Sequence, residues 1–375
     1  MLKVEEIYET FLKNGVDFFT GVPDSLLKNM CAYITDNTCK EKHIIAANEG
    51  AAIGIAAGHY LATGNPPLVY MQNSGIGNTV NPLLSLADPK VYSMPILLMI
   101  GWRGEPGVKD EPQHIKQGEV TLDLLNAMQI PYIILEDDAT LAIPHLEQTI
   151  SQTKETSSPH AIVIRKGLFD KYKLLSEEIN DYPLSREDAL KVVVDHLNNS
   201  DILVSTTGKL SRELFEYRDA KHQPHANDFL TVGSMGHSSS IALGISLGKP
   251  NRRVFCMDGD GAFIMHMGAI SNIGYLSPKN YFHILFNNGA HESVGGQPTL
   301  GFKIDFPSIA KNCGYNHVYS VQTQEEIESV LSELPKLEGP LLMEIKVCKR
   351  SREDLGRPTV SPIENKKNFM ESLKK

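Results

Sequence analysis

Two clusters in the second half of the chain have the composition of a cation site. Asp258-Gly-Asp-Gly261 closes the strand-like run RVFCM, and Asn287-Asn-Gly289 closes YFHILF. Asp260 and Asn288 stand roughly 30 residues apart, the length of one strand–helix–strand unit. A right-handed crossover brings the second strand end back to the sheet edge of the first. There, the Asp260 carboxylate, the Asn288 amide oxygen and a carbonyl from the following turn would make a set of hard oxygen ligands. Such a set suits Mg2+ that also holds phosphate oxygens. Gly259 and Gly261 would let backbone come close to those phosphates. Either cluster alone is also a good turn sequence; their pairing at one-crossover spacing favours the metal.

Upstream, TVGSMGHSSSIALGISLG offers a second anion element. Its Gly233-Ser-Met-Gly236 turn leads into a helix whose first N–H groups could face a diphosphate. A tight glycine packing turn is the plainer alternative. In the first half, HIIAANEGAAIGIAAGHYLATG sets one acid, Glu49, within Ala, Gly and Ile. Small residues let another helix approach closely, so Glu49 is expected to be buried at a helix contact. A sheltered carboxyl there can give and take a proton. A half-exposed Glu at a helix N-terminus is the alternative.

These residues need a scaffold. Short runs rich in Val and Ile (PPLVYMQ, MPILLMIG, IPYIILE, HAIVIRK, RRVFCMD, YFHILFN, PLLMEIK) alternate with helical stretches. That pattern predicts an α/β protein with two doubly wound parallel-sheet domains, whose ligands collect beyond the carboxyl ends of strands. The halves open alike. Val4, Ile7, Tyr8, Phe11 and Leu12 form a helical stripe before VDFFTGVP. Ser185 and Asp188 form a capping signal before the stripe Leu190, Val193, Val194 and Leu197 and the strand DILVSTTG. The charged stretch DKYKLLSEEINDYP, 170–183, marks the boundary, giving domains 1–175 and 184–375.

Bulk properties exclude several roles. A net charge of -9 argues against nucleic acid as the main partner. Five cysteines without a C-x-x-C pair read as reduced thiols, not a disulfide framework or a zinc site. The opening MLKVEEIYETFLKNG lacks the apolar core of a signal peptide, and no apolar run approaches the roughly 20 residues of a membrane span. A cytoplasmic protein without membrane or nucleic-acid partners is expected.

The G-D-G, spacer and N-N pattern resembles the signature of thiamine-diphosphate-dependent enzymes. The resemblance implies Mg2+ held by Asp260, Asn288 and the carbonyl of Ala290. It implies that the Gly233 carbonyl accepts from the cofactor's amino group and that Met235 wedges the cofactor bent. Ser234, Gly259, Gly261 and Ala262 would line the cofactor, and Glu49 would bond its pyrimidine ring. The first half then acts as the pyrimidine domain and the second as the diphosphate domain. In the family these come from different subunits, so a homo-oligomer with interfacial sites is implied, a dimer being the smallest active unit.

Larger relatives carry a middle domain for which this chain has no room. TGVPDSLLK, ANEGAAIGIAAGHYLATG, the stretch from MQNSGIGN to EPQH, and NNGAHESVGGQPT resemble the short decarboxylases of phosphonopyruvate and sulfopyruvate. The implied reaction converts 3-phosphonopyruvate to phosphonoacetaldehyde and CO2, within phosphonate biosynthesis. A compact trianion needs donors and cations. Ser25 follows the first strand, and Arg103, Lys109, Gln113 and His114 lie in or close the loop GWRGEPGVKDEPQH. His291 and Glu292 follow the metal turn. His114, His291 or Glu292 could supply the proton that replaces CO2. Solvated loop charges are the plain alternative for Arg103 and Lys109. Rival readings are sulfopyruvate as substrate, acetolactate-type carboligation, and a nicotinamide oxidoreductase. The last lacks a G-x-G-x-x-G after a first strand.

Overall fold

The structure is a computed structural model describing residues 1–176 and 180–374. The chain divides into two compact units. One contains Met1–Glu177 and His291–Gln297, the other Glu178–Ala290 and Pro298–Lys375. The boundary stretch 170–183 lies partly outside the described residues. The assignment of His291–Gln297 to the first unit has no signal in the sequence.

In the first unit, six parallel strands are β1 (Phe19–Gly21), β2 (His43–Ile45), β3 (Leu68–Gln72), β4 (Leu97–Gly101), β5 (Tyr132–Ile134) and β6 (His160–Ile164). They lie in the order β2-β1-β3-β4-β6-β5. Successive side chains point to opposite faces. Thus Leu68, Tyr70, Leu97 and Met99 enter one core, and Val69, Met71, Leu98 and Ile100 enter the other. Every residue of β4 and β6 is buried, as expected where helices cover both faces. Each such large apolar side chain contributes about 1.5–3 kcal/mol relative to exposure.

The second unit repeats the plan with β7 (Ile202–Ser205), β8 (Asp228–Leu230), β9 (Val254–Gly259), β10 (Tyr281–Asn287), β11 (His317–Val321) and β12 (Leu341–Lys346). Their order is β11-β12-β10-β9-β7-β8, again all parallel. Numbered within each unit, both sheets run 2-1-3-4-6-5. The sequence hint of a duplicated plan therefore holds for topology.

Local signals act as expected, with two exceptions. Ser185 and Asp188 form a reciprocal capping box on the helix Arg186–Asp195. Val4, Ile7, Tyr8 and Phe11 are buried on the helix Val4–Lys13, but Leu12 is 41% exposed, because its position turns away from that face. Leu197 falls beyond its helix, which ends at Asp195.

Candidate active site

In the second unit the tips of β9 and β10 adjoin, with Gly259 in register with Phe286. Asp260 starts the short helix Asp260–Met265 and is 3% exposed. Its carboxylate accepts hydrogen bonds from the Thr299 hydroxyl and the Asn288 backbone N–H. Burial nevertheless pushes its pKa up to about 6. A carboxylate so enclosed costs free energy until a cation or proton compensates it. The buried Asn288 accepts from the Ala290 N–H at 3.1 Å through its amide oxygen, an atom with two lone pairs. Asn287 is differently placed. It is fully buried in β10, its NH2 donating to the Gly301 carbonyl (2.8 Å) and to Glu344 Oε1 (2.7 Å). The ligand atoms that Asp260, Asn288 and the Ala290 carbonyl can offer are all oxygen, which fits a small hard cation.

The turn after β8 carries Gly233, Ser234 and Met235. Ser234 has φ 55, a left-handed conformation uncommon for a side-chain-bearing residue. Met235 is half-buried. The helix Ser238–Gly248 then begins with no side-chain cap, so its first N–H groups keep the capacity to meet an anion. Gly261 is half-buried and Ala262 buried on the helix that Asp260 opens.

In the first unit, Glu49 opens the helix Glu49–Thr63 and is 5% exposed. The Asn48 side chain caps that helix at Ala51 N–H, 2.9 Å away. Asn78 Nδ2 donates to Glu49 Oε2 at 2.7 Å. Gly75 lies against the carboxyl so closely that a Cβ there would strike it. The expected burial of Glu49 at a helix contact is thus observed, although it sits at a helix N-terminus.

The same short turn, Asn73–Gly75, reaches the second group of residues. Asn73 donates to the Arg103 carbonyl at 2.8 Å and accepts from its N–H at 3.2 Å. Arg103 Nη1 donates to Ser25 Oγ at 2.7 Å, joining two sequence-predicted residues from different loops. Asp110 holds the guanidinium bidentately through Nε and Nη2. Burial alone would raise the pKa of Asp110, but Arg103 and the N–H groups of Glu111 and Gly104 hold it well below the usual carboxylate range. Asp24, beside Ser25, is 1% exposed; burial pushes it up to about 6, against the nearby Arg103 charge.

The other expected residues lie around these loops. Lys109 is exposed in the same loop. Gln113 and the buried His114 lie in the first turn of the helix Pro112–Ala127, 3.5 Å apart through Nε2 atoms. His291 and Glu292 are half-buried. His291 keeps some surface open yet is packed closely enough that burial lowers its pKa to about 4. Its N–H donates to the Gln297 carbonyl at 2.8 Å. Sequence reasoning misses Asp24, Asn73, Asn78, Asp110 and Thr299. Their only signal is membership of quoted stretches such as GVPDS and GGQPT.

Residues 3–127 match the thiamine pyrophosphate enzyme N-terminal TPP binding domain, and residues 206–345 match the C-terminal TPP binding domain. A phosphonopyruvate decarboxylase of Streptomyces viridochromogenes is 31% identical over 95% of this chain and 91% of its own length. The chain belongs to the thiamine pyrophosphate enzymes. A sulfopyruvate decarboxylase of Methanosarcina acetivorans is 27% identical over 98% of this chain and 97% of its own. A sulfopyruvate decarboxylase subunit beta of Methanocaldococcus jannaschii matches 52% of the chain at 32% identity, covering 99% of that subunit. As a thiamine pyrophosphate enzyme with two six-stranded parallel units and no middle domain, the chain is of the decarboxylase type. Among the described residues no helix is long and apolar enough to cross a membrane.

Proposed function

We propose that the chain decarboxylates 3-phosphonopyruvate to phosphonoacetaldehyde and CO2, using thiamine diphosphate and Mg2+, in the cytoplasm. The product would feed phosphonates such as 2-aminoethylphosphonate. Bound, the cofactor supplies a sink for the electron pair left when CO2 departs. Asp260, Asn288 and the Ala290 carbonyl would hold Mg2+. Gly233, Ser234, Met235, Gly259, Gly261 and Ala262 would line the cofactor. Glu49 would hold and move the proton at its pyrimidine ring. Division of these residues between a pyrimidine domain and a diphosphate domain supports a homo-oligomer with interfacial sites.

The observation that carries the substrate reading is the Arg103–Ser25 contact. Asp110 grips the Arg103 guanidinium and Asn73 holds its backbone, so a cation and the Ser25 hydroxyl stand side by side. Such preorganised charge-assisted donors suit a multiply charged 2-oxo acid. Lys109 and Gln113 would add to them. His114, His291 or Glu292 would deliver the proton that takes the place of CO2 on the carbonyl carbon. Similarity to the Streptomyces phosphonopyruvate decarboxylases favours the phosphonate.

Sulfopyruvate is the second reading, favoured by the full-length Methanosarcina relative. A coupled assay for phosphonoacetaldehyde, with and without thiamine diphosphate and Mg2+, tests the proposal. Turnover should require both. A preference for sulfopyruvate of about tenfold or more in kcat/KM, or about 1.4 kcal/mol, would transfer the assignment to the sulfonate.

A further inference from the structure

The GGQPT stretch ends in Thr299, whose side chain has no place in the chemistry above. Thr299 makes three contacts within the second unit. Its N–H donates to the Gly289 carbonyl at 2.9 Å. Its hydroxyl donates to Asp260 Oδ2 and accepts from the Gly301 N–H at 3.0 Å. One residue therefore ties the tip of β9 to the turn that follows β10. An antiparallel bridge between Ala290 and Pro298 fastens the same turn one residue earlier.

The tie is anchored from below. The Gly301 carbonyl receives Asn287 Nδ2, which also donates to Glu344 on β12. Glu344 is 2% exposed, and its other oxygen accepts from Ser320 on β11 at 2.7 Å. A Cβ at Gly301 would run into Asn287 Oδ1, Asp260 Oδ2 and Thr299 Oγ1. Backbone is therefore drawn against the carboxylate where side chain cannot fit. The accepting hydroxyl is oriented by the Gly301 N–H, so its own proton points at Asp260.

We infer that Thr299 is the positioning residue of the cation centre: with its hydroxyl on Oδ2 of Asp260 it sets the orientation of that carboxylate and fixes the span between Asp260 and the Asn288–Ala290 turn. This assignment rests on Asp260 being a cation ligand. Residues that hydrogen-bond a metal-binding carboxylate set its orientation and basicity, and their loss typically weakens metal binding about 10- to 100-fold.

The test is titration of Mn2+ into apoprotein in the presence of thiamine diphosphate, with free Mn2+ followed by electron paramagnetic resonance. Thr299→Val keeps the shape and removes the hydroxyl; Thr299→Ser keeps the hydroxyl. The Val variant should bind Mn2+ about 10- to 100-fold more weakly, with the Ser variant close to wild type. Apoprotein melting temperatures should stay similar across the three. Wild-type affinity in the Val variant would overturn the assignment, as would equal losses in Val and Ser, which would mean packing. Absence of Mn2+ uptake by the wild type would overturn the cation reading itself, and the role of Thr299 with it.

Discussion

Asp24 and Asp260 are the same kind of residue in the same kind of place, and they are treated differently. Each follows a strand tip in a unit with strand order 2-1-3-4-6-5, and each is at least 97% buried, with its pKa pushed up to about 6. Asp24 has a cation of its own chain nearby, Arg103. Among the described residues, the main hydrogen-bond donors to Asp260 are neutral: a hydroxyl and backbone N–H groups. The first unit carries its compensating charge in the sequence, whereas on the function proposed above the second would take one from outside. Topologically equivalent positions of the two units diverge as well. The helix after the second strand opens with Glu49 in one unit and follows the Gly233–Met235 turn in the other. The loop after the fourth strand gives Arg103 in one and Asn288 in the other. Topology sets where functional side chains can gather; under the proposed function, the side chains at each tip decide whether it moves protons, binds an anion or holds a metal.

The largest expected effect comes from Glu49→Gln. The Asn78 donor keeps an oxygen to bond, so the fold should persist. Loss of proton transfer should lower kcat by about 10²- to 10⁴-fold. An amide variant with near-normal kcat would remove Glu49 from the chemistry. Next is Asp260→Asn, which should weaken Mn2+ binding by more than the roughly 10- to 100-fold expected of a supporting residue. Because the amide spares the protein a buried charge, its apoprotein should melt no lower than wild type. Parallel loss of stability and metal affinity would mark Asp260 as structural.

How much of this contrast can be read from sequence depends on burial. Long apolar runs announce β3, β4, β6, β9, β10 and β12, which lie inside their sheets and are covered on both faces, and IPYIILE announces β5 although β5 is an edge. The strands without a run are β2, β8 and β11, and all three are edges. An edge strand is half-solvated, so His43-Ile-Ile45 and His317-Val-Tyr-Ser-Val321 carry no continuous apolar signal. Glu49 stands out because it is the lone charge in a small-residue helix. Asp110 and Asn73 do not, since their roles exist only once Arg103 is folded against Ser25, 78 residues away in sequence.

A third prediction probes that built-in cation. Arg103→Lys removes the fork that Asp110 grips through two nitrogens. Hydrogen bonds to charged groups are worth about 1.5–3 kcal/mol, so kcat/KM should fall about 10- to 150-fold. The loss should lie mainly in KM. Unchanged KM with a reduced kcat would instead place Arg103 at the proton-transfer step.

The smallest effect, and the sharpest on the comparison, concerns Asp24→Asn and pH. The unfolded carboxyl titrates near 3.8 and the folded one near 6. Above pH 6 both states are ionised and the folded state bears the full cost of the buried charge. As pH falls through 6 the folded state takes up a proton first, and below 3.8 no difference remains. The neutral variant should therefore be more stable than wild type above pH 6, by at most about 3 kcal/mol. That advantage should shrink steadily toward pH 4. Melting curves of both proteins across this range measure it. A constant offset would mean that Arg103 already compensates Asp24 in full, so that the two buried acids differ more deeply than their shared burial implies.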